Sequence, residues 1–208
     1  MMTRDVTRNY EAVKTMLFLK AMAEKDVPSG VPFKIIAGDM AVTCGIQFGQ
    51  SENSFSCVTV TESMLKLLGV TWERLFKDAK ENAPKNRPAV FSNMGSVLSE
   101  IAGDDVPVGE TGLMVAGVKG NLFGAAVICY PGFLKGISEK LGSFYILPSS
   151  VHEVLILPDD GEPKAMELNM MIKAINEAEV LPQDRLSDIA YHYDGTHLET
   201  AQAYENRR

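Results

Sequence analysis

No stretch of this chain approaches the roughly 18 uninterrupted apolar residues that a membrane-spanning helix needs. The opening MMTRDVTRNYEAVK carries no apolar signal core. Cysteine is scarce: Cys44, Cys57 and Cys129 form an odd set, none in CxxC spacing, each inside an apolar segment. That pattern excludes a disulfide framework and a CxxC zinc or redox site, and it suits reduced thiols in a cytoplasm. Positive charge is also short, with 20 Lys and Arg against 27 Asp and Glu and a net charge of −7. The nearest basic group, Lys77, Lys80, Lys85 and Arg87, is interleaved with Asp78 and Glu81. Neither nucleic acid nor an anionic membrane is therefore an expected partner. There is no GxxxxGK loop and no GxGxxG turn, so no cofactor is expected.

What is present is an ordinary globular pattern. Residues 10–24 place Tyr10, Val13, Met16, Leu17 and Ala21 at three- and four-residue steps, which predicts an amphipathic helix ended by Pro28, Gly30 and Pro32. Met40, Val42, Cys44, Ile46 and Phe48 then alternate with smaller or polar residues, which predicts a strand, and a turn at 49–53 leads to a second strand over 55–60. Thr61 is placed to cap a short helix that Gly69 closes. Thr71 is placed to cap another, with Trp72, Leu75, Phe76 and Ala79 inward and Pro84 as its stop. Residues 92–101 suggest one more helix, and GDDVPVGETG at 103–112 reads as a linker.

Beyond it, 113–118 predicts a strand, Lys119-Gly120-Asn121 a turn and 122–130 a return strand. A helix from Pro131 to Gly142 follows, then two short strands around a polar knot. After Pro158-Asp159-Asp160-Gly161 comes a long helix with Leu168, Met171, Ile172 and Ile175 on one face. Its Met166, Met170 and Met171 read either as core filler or as an adaptable binding face. A strand at 189–193 and a frayed polar tail end the chain. Hairpins outnumber βαβ crossovers, so the expected class is α+β, mainly antiparallel sheets against helices. The expected division is 1–103, a linker at 104–112, and 113–208, with the two halves sharing one compact domain as an option.

The knot, in "FYILPSSVHEVLILPDDG", offers Ser149 or Ser150 as nucleophile, His152 as base and Glu153 as orienter. In a strand, however, adjacent side chains such as His152 and Glu153 point to opposite faces. A triad needs base and orienter in contact, usually from distant parts of the chain. The Gly-x-Ser-x-Gly elbow is missing. "HEVLI" starts like a zinc-protease motif, but Ile156 stands where the second histidine belongs. A metal could still be gathered by His152, His192 and His197 with Glu153 or Asp194. Ser63-Met64-Leu65-Lys66 matches Ser-x-x-Lys without its partner motifs and reads as a capped helix. The plainer expectation for the knot is a turn whose serines bond nearby backbone.

Three stretches carry a resemblance: "LGVTWERLFKDAKENAP", "LFGAAVICYPGFLKGISEKLGSFYILPSSVHEVLILPDDG" and "LSDIAYHYD". Together they resemble an uncharacterised clostridial (Firmicutes) domain-of-unknown-function family bearing an LPSS-x-HE motif. A remote cousin family has a "VP"-type turn in its place. The resemblance implies a bacterial, cytoplasmic, accessory protein whose relatives extend further upstream; it implies no activity, cofactor or named partner. The doubled Met1-Met2 likewise suggests a piece of something longer. The expected function is thus a non-catalytic module that binds a protein or small molecule, with a homodimer through a sheet edge as a further option. The alternative is a hydrolase-like or metal-dependent enzyme centred on His152, with Asp194 or Glu199 as its carboxylate.

Overall fold

The computed structural model describes residues 9–51, 54–95, 112–120 and 122–208. Two antiparallel sheets and the helices around them build an α+β fold. The first sheet is organised by one long strand, β3 (Met40–Ser51). Strand β1 (Leu17–Ala23) pairs along one of its edges, while β2 (Lys34–Ala37) and β4 (Ser54–Thr59) share the other. The second sheet runs β10 (Leu198–Thr200), β9 (Tyr191–Tyr193), β7 (Phe144–Leu147), β8 (Val154–Pro158), β6 (Met114–Val118), β5 (Ala89–Asn93). Strand β5 precedes the expected 104–112 linker yet pairs with β6 beyond it. One cluster of buried side chains runs from Val13 and Leu17 through Leu75 and Ile128 to Tyr193, so residues on both sides of that linker share a core. The linker itself, apart from Gly112, lies outside the described residues, as do residues 96–101 of the helix expected over 92–101.

The helices form where local punctuation asks for them. Thr61 Oγ1 accepts the Met64 amide at the start of α2 (Glu62–Leu68), and Gly69 ends it with φ +63°. Helix α1 (Tyr10–Lys14) precedes it, capped by Asn9. Thr71 caps α3 (Trp72–Asn86), whose Leu75, Phe76 and Ala79 are buried; Pro84 sits inside the last turn and does not stop it. Helix α4 (Phe133–Leu141) closes at Gly142, α5 (Ala165–Ala178) is the long helix, and α6 (Ala201–Arg207) is capped by Thr200.

Several expectations are corrected. Only residues 10–14 of the first predicted helix are α-helical; 17–23 form β1, a strand with Leu17, Phe18 and Leu19 all buried. A strand covered on both faces reads as a continuous apolar run, and 16–19 is such a run, which an amphipathic stripe does not require. Residues 124–129 form a 3-10 helix where a return strand was expected. The polar tail is not frayed: it forms β10 and α6, and Arg207 pairs with Glu199 and Asp194. On α5 the inward row is Ala165, Leu168, Ile172 and Asn176, while Met171 and Ile175 are exposed. The inward row steps by three and four, and residues 171 and 175 lie about 100° around from it.

The second sheet is covered on both faces, which explains why all four residues of β7 are buried. Phe144 and Ile146 join the main core, whereas Tyr145 and Leu147 meet Ala165, Leu168 and Ile172 of α5 in a second cluster. The β7–β8 connection, the knot, therefore emerges beside the end of α5.

Candidate functional site around the knot

Backbone bonds clamp the knot from two sides. Ser187 N–H donates to the Pro148 carbonyl and Leu186 N–H to that of Ser149, at 3.0 and 3.1 Å. Val151 N–H donates to the Asp184 carbonyl at 2.8 Å, and Ala125 N–H reaches the Val151 carbonyl at 3.2 Å. Ser150 is buried, and its hydroxyl accepts the His152 amide at 3.0 Å, the local serine turn expected of this stretch. Gly124 is obligatory here for space, since a Cβ on it would lie 2.3 Å from the His152 carbonyl oxygen.

The His152 ring bridges two loops. Its Nδ1 accepts the Phe123 amide at 3.3 Å, and its Nε2 faces Asp184 Oδ1 at 3.5 Å. A nitrogen that accepts an N–H carries no proton, so the neutral ring holds its proton on Nε2, directed at the carboxylate. Phe123 adopts φ +55°, a left-handed conformation rare outside glycine, and its ring packs on the imidazole with centroids 5.9 Å apart. The sequence offered Asp194 or Glu199 as the carboxylate for His152, and neither faces it. Asp184 takes that place because residues 184–187 pair with the knot, a long-range choice with no local signal. Asp194 instead accepts the Thr196 and His197 amides, which hold its carboxyl down at about 2.

A cavity of about 520 Å3 opens beside the ring. Ser149, Ser150, His152, Glu153 and Asp184 line its polar side, and Leu155, Ile175 and Leu181 its apolar side. Glu153, Glu179 and Asp184 supply carboxylates, and no lysine or arginine lines it among the described residues. Burial raises the Glu153 carboxyl above its ordinary value, with the His152 ring opposing. No protein hydrogen bond engages the Ser149 hydroxyl among the described residues, so of the two knot serines it is the free one.

The three histidines do not meet at a metal. His152 takes Asp184, His192 takes Asp159, and His197 takes Asp194. Among the described residues no three His, Cys, Asp or Glu side chains converge in a metal-binding arrangement. His192 is fully buried on the α5 face of the second sheet. Its Nε2 lies 3.0 Å from Asp159 Oδ2, Tyr204 stacks on its ring at 3.4 Å, and Nδ1 has no hydrogen-bond partner among the described residues. Burial depresses the imidazole, with Asp159 pulling the other way. Burial also acts to raise the Asp159 carboxyl, but the Gly161 amide, His192 and Tyr204 outweigh it and hold it low. A second network, unforeseen in the sequence, joins Asp39 Oδ1 to the Ser187 and Tyr191 hydroxyls at 2.7 and 2.5 Å. It ties the β2–β3 turn to β9 and to the segment that clamps the knot. Both networks join residues distant in the chain, so spacing could not reveal them.

Residues 2–195 match the sequence profile of DUF5688, a family of unknown function, over nearly the whole chain. The chain belongs to this family. The match takes in the knot, its 184–187 clamp and both cavity walls, so the pocket is built entirely from the family's own span. No curated protein and no solved structure shows significant similarity to it.

Proposed function

We propose that this DUF5688 member is a non-catalytic binding module whose cavity beside the knot takes an apolar, positively charged segment of a partner protein. The observation that carries this is the engagement of His152: its one lone pair accepts the Phe123 amide and its proton points at Asp184. No lone pair remains to activate Ser149 or Ser150. What the cavity offers instead is an apolar wall and three carboxylates, which favour a cation carried on an apolar body. Ile175 lines the cavity, and Met171, one turn before it on α5, is exposed and offers an adaptable surface beside it. The test is titration with 4-phenylbutylamine beside 4-phenylbutyrate, followed by amide chemical shifts. The amine is expected to move Ser149, Glu153, Ile175 and Leu181, and the double substitution Glu153→Gln, Glu179→Gln to weaken it several-fold. Equal binding of the butyrate at these residues overturns the reading.

One observation favours the hydrolase alternative: the free Ser149 hydroxyl shares the cavity with His152. A fluorophosphonate probe decides it. Labelling lost in Ser149→Ala and His152→Ala establishes a nucleophile; absence of labelling ends that reading. The proposal places the module in the reducing cytoplasm of a clostridial bacterium, supported by three free thiols and the LPSSVHE stretch. Among the described residues, no helix is long and apolar enough to cross a membrane. A homodimer is the alternative assembly. Among the described residues strand β5 ends its sheet with Val90 exposed, and light scattering on a sizing column separates dimer from monomer.

A further inference from the structure

A second cavity, of about 410 Å3, lies apart from the knot and shares no lining residue with it. Strand β2, helix α3, the end of the 3-10 helix and the start of α4 enclose it. Its walls are apolar and aromatic, with Phe76, Leu134 and Tyr193 among them. Its charged groups are Lys34, Lys80 and Lys135, and no Asp or Glu lines it among the described residues. Residues this far apart in the chain left no basic run to read, and only the fold gathers them.

None of the three lysines forms an ion pair among the described residues, although acids outnumber bases 27 to 20. Lys34 Nζ sits 4.6 Å from the Phe76 ring centroid, so it leans over the aromatic wall. Like charges around one apolar concavity raise one another's energy, and an anion between them relieves that. The α4 N-cap, Gly132, also lines the cavity and brings no side chain to cap the helix, which adds partial positive charge at the same place. The aromatic hydroxyls are engaged elsewhere, Tyr130 donating to the Arg87 carbonyl and Tyr193 to that of Gly195, so the two residues contribute aromatic rather than hydrogen-bonding surface. Burial pushes the Cys129 thiol up to about 12, so it stays neutral and offers no nucleophile.

We infer that this cavity binds a small molecule carrying a phosphate or carboxylate on a flat apolar body. The inference stands independently of the function proposed for the knot, whose three carboxylates repel such a ligand.

The test uses the whole chain at low ionic strength, titrated calorimetrically with 2-naphthyl phosphate, 2-naphthoate, 2-naphthol and inorganic phosphate. One of the two naphthyl anions is expected to saturate a single site at least tenfold more tightly than naphthol or phosphate alone, and the tighter one identifies the head group. Lys34→Gln, Lys80→Gln and Lys135→Gln combined should weaken that anion at least tenfold and leave naphthol unchanged. The three lysines are exposed or half-buried, and circular dichroism checks that the variant folds. Amide shifts of the unmodified protein give a second measurement, expected at Ile36, Phe76, Gly132 and Lys135. Naphthol binding as tightly as the anions, unchanged affinity in the triple variant, or shifts confined to other residues overturns the inference.

Discussion

Replacing Gly124 with alanine tests the packing that holds the knot. The added Cβ would lie 2.3 Å from the His152 carbonyl oxygen, 2.8 Å from the Val118 amide nitrogen and 3.1 Å from the Gly117 Cα. Ordinary carbon contacts begin near 3.4 Å, so something must move by about 1 Å. All three neighbours are backbone, and the adjacent Ala125 amide is bonded to the Val151 carbonyl, so no side chain can rotate away. Overpacking among adjustable side chains costs about 1–3 kcal/mol. With backbone on both sides, the expected loss is about 3 kcal/mol or more. For a chain of this size that lowers Tm by about 6–12 °C. Urea unfolding is the assay: the midpoint should fall with the m-value unchanged. Gly136→Ala is the matched control, because it lies inside α4 and its Cβ meets nothing within 4 Å among the described residues. It should raise stability by about 0.5–1 kcal/mol. A Gly124→Ala protein within about 0.5 kcal/mol of the parent refutes the packing argument and the described position of the knot.

Stability should also fall on mild acidification. The folded pKa of His192 is depressed, so above an unfolded value of about 6.5 both states are neutral and nothing is lost. As pH drops below it, the unfolded chain takes up a proton that the folded one resists, and Tm falls. His192→Phe should flatten this part of the Tm–pH curve, and an unchanged slope counts against it. The low Asp159 carboxyl adds a further loss below about pH 4, as that carboxylate titrates in the unfolded chain. Tyr191→Phe removes a hydroxyl that bonds Asp39 and should cost about 1.5–3 kcal/mol in urea. Combined with Ser187→Ala, the loss should be non-additive, because both hydroxyls serve one carboxylate oxygen. Thr71→Ala should cost about 1 kcal/mol through the lost cap on α3; full stability in that variant would show that the cap is replaced by solvent.

What could be read in advance was what depends on neighbours in the chain. Thr61 and Thr71 cap because the amides they satisfy lie three residues on, and Gly69 ends α2 because its own backbone enters the left-handed region. The alternation from Met40 to Ile46 revealed β3 although both of its faces are buried there, because the second face carries only the small Ala41, Thr43 and Gly45; Phe48 is exposed. Where large apolar side chains fill both buried faces, as at Leu17, Phe18 and Leu19 of β1, the period disappears and the run reads as the continuation of a helix. On α5, Asn176 occupies an inward place that apolarity assigned to Ile175. Its amide donates to the Ser187 carbonyl and to Asp188, which offsets the cost of burying it.

The knot divides in the same way. Its serine turn is local: the sequence led to both hydroxyls serving backbone, and Ser150 does so while Ser149 has no protein hydrogen bond to its hydroxyl among the described residues. The expected separation of His152 from Glu153 fails, because both precede β8 in a bend where no strand period applies, and both line one cavity. The partner of His152, the acidic cavity beside it and the lysine-lined cavity elsewhere were decided only by the tertiary structure. Each gathers residues from separate elements, and such meetings depend on how sheets and helices pack, which no spacing along the chain records.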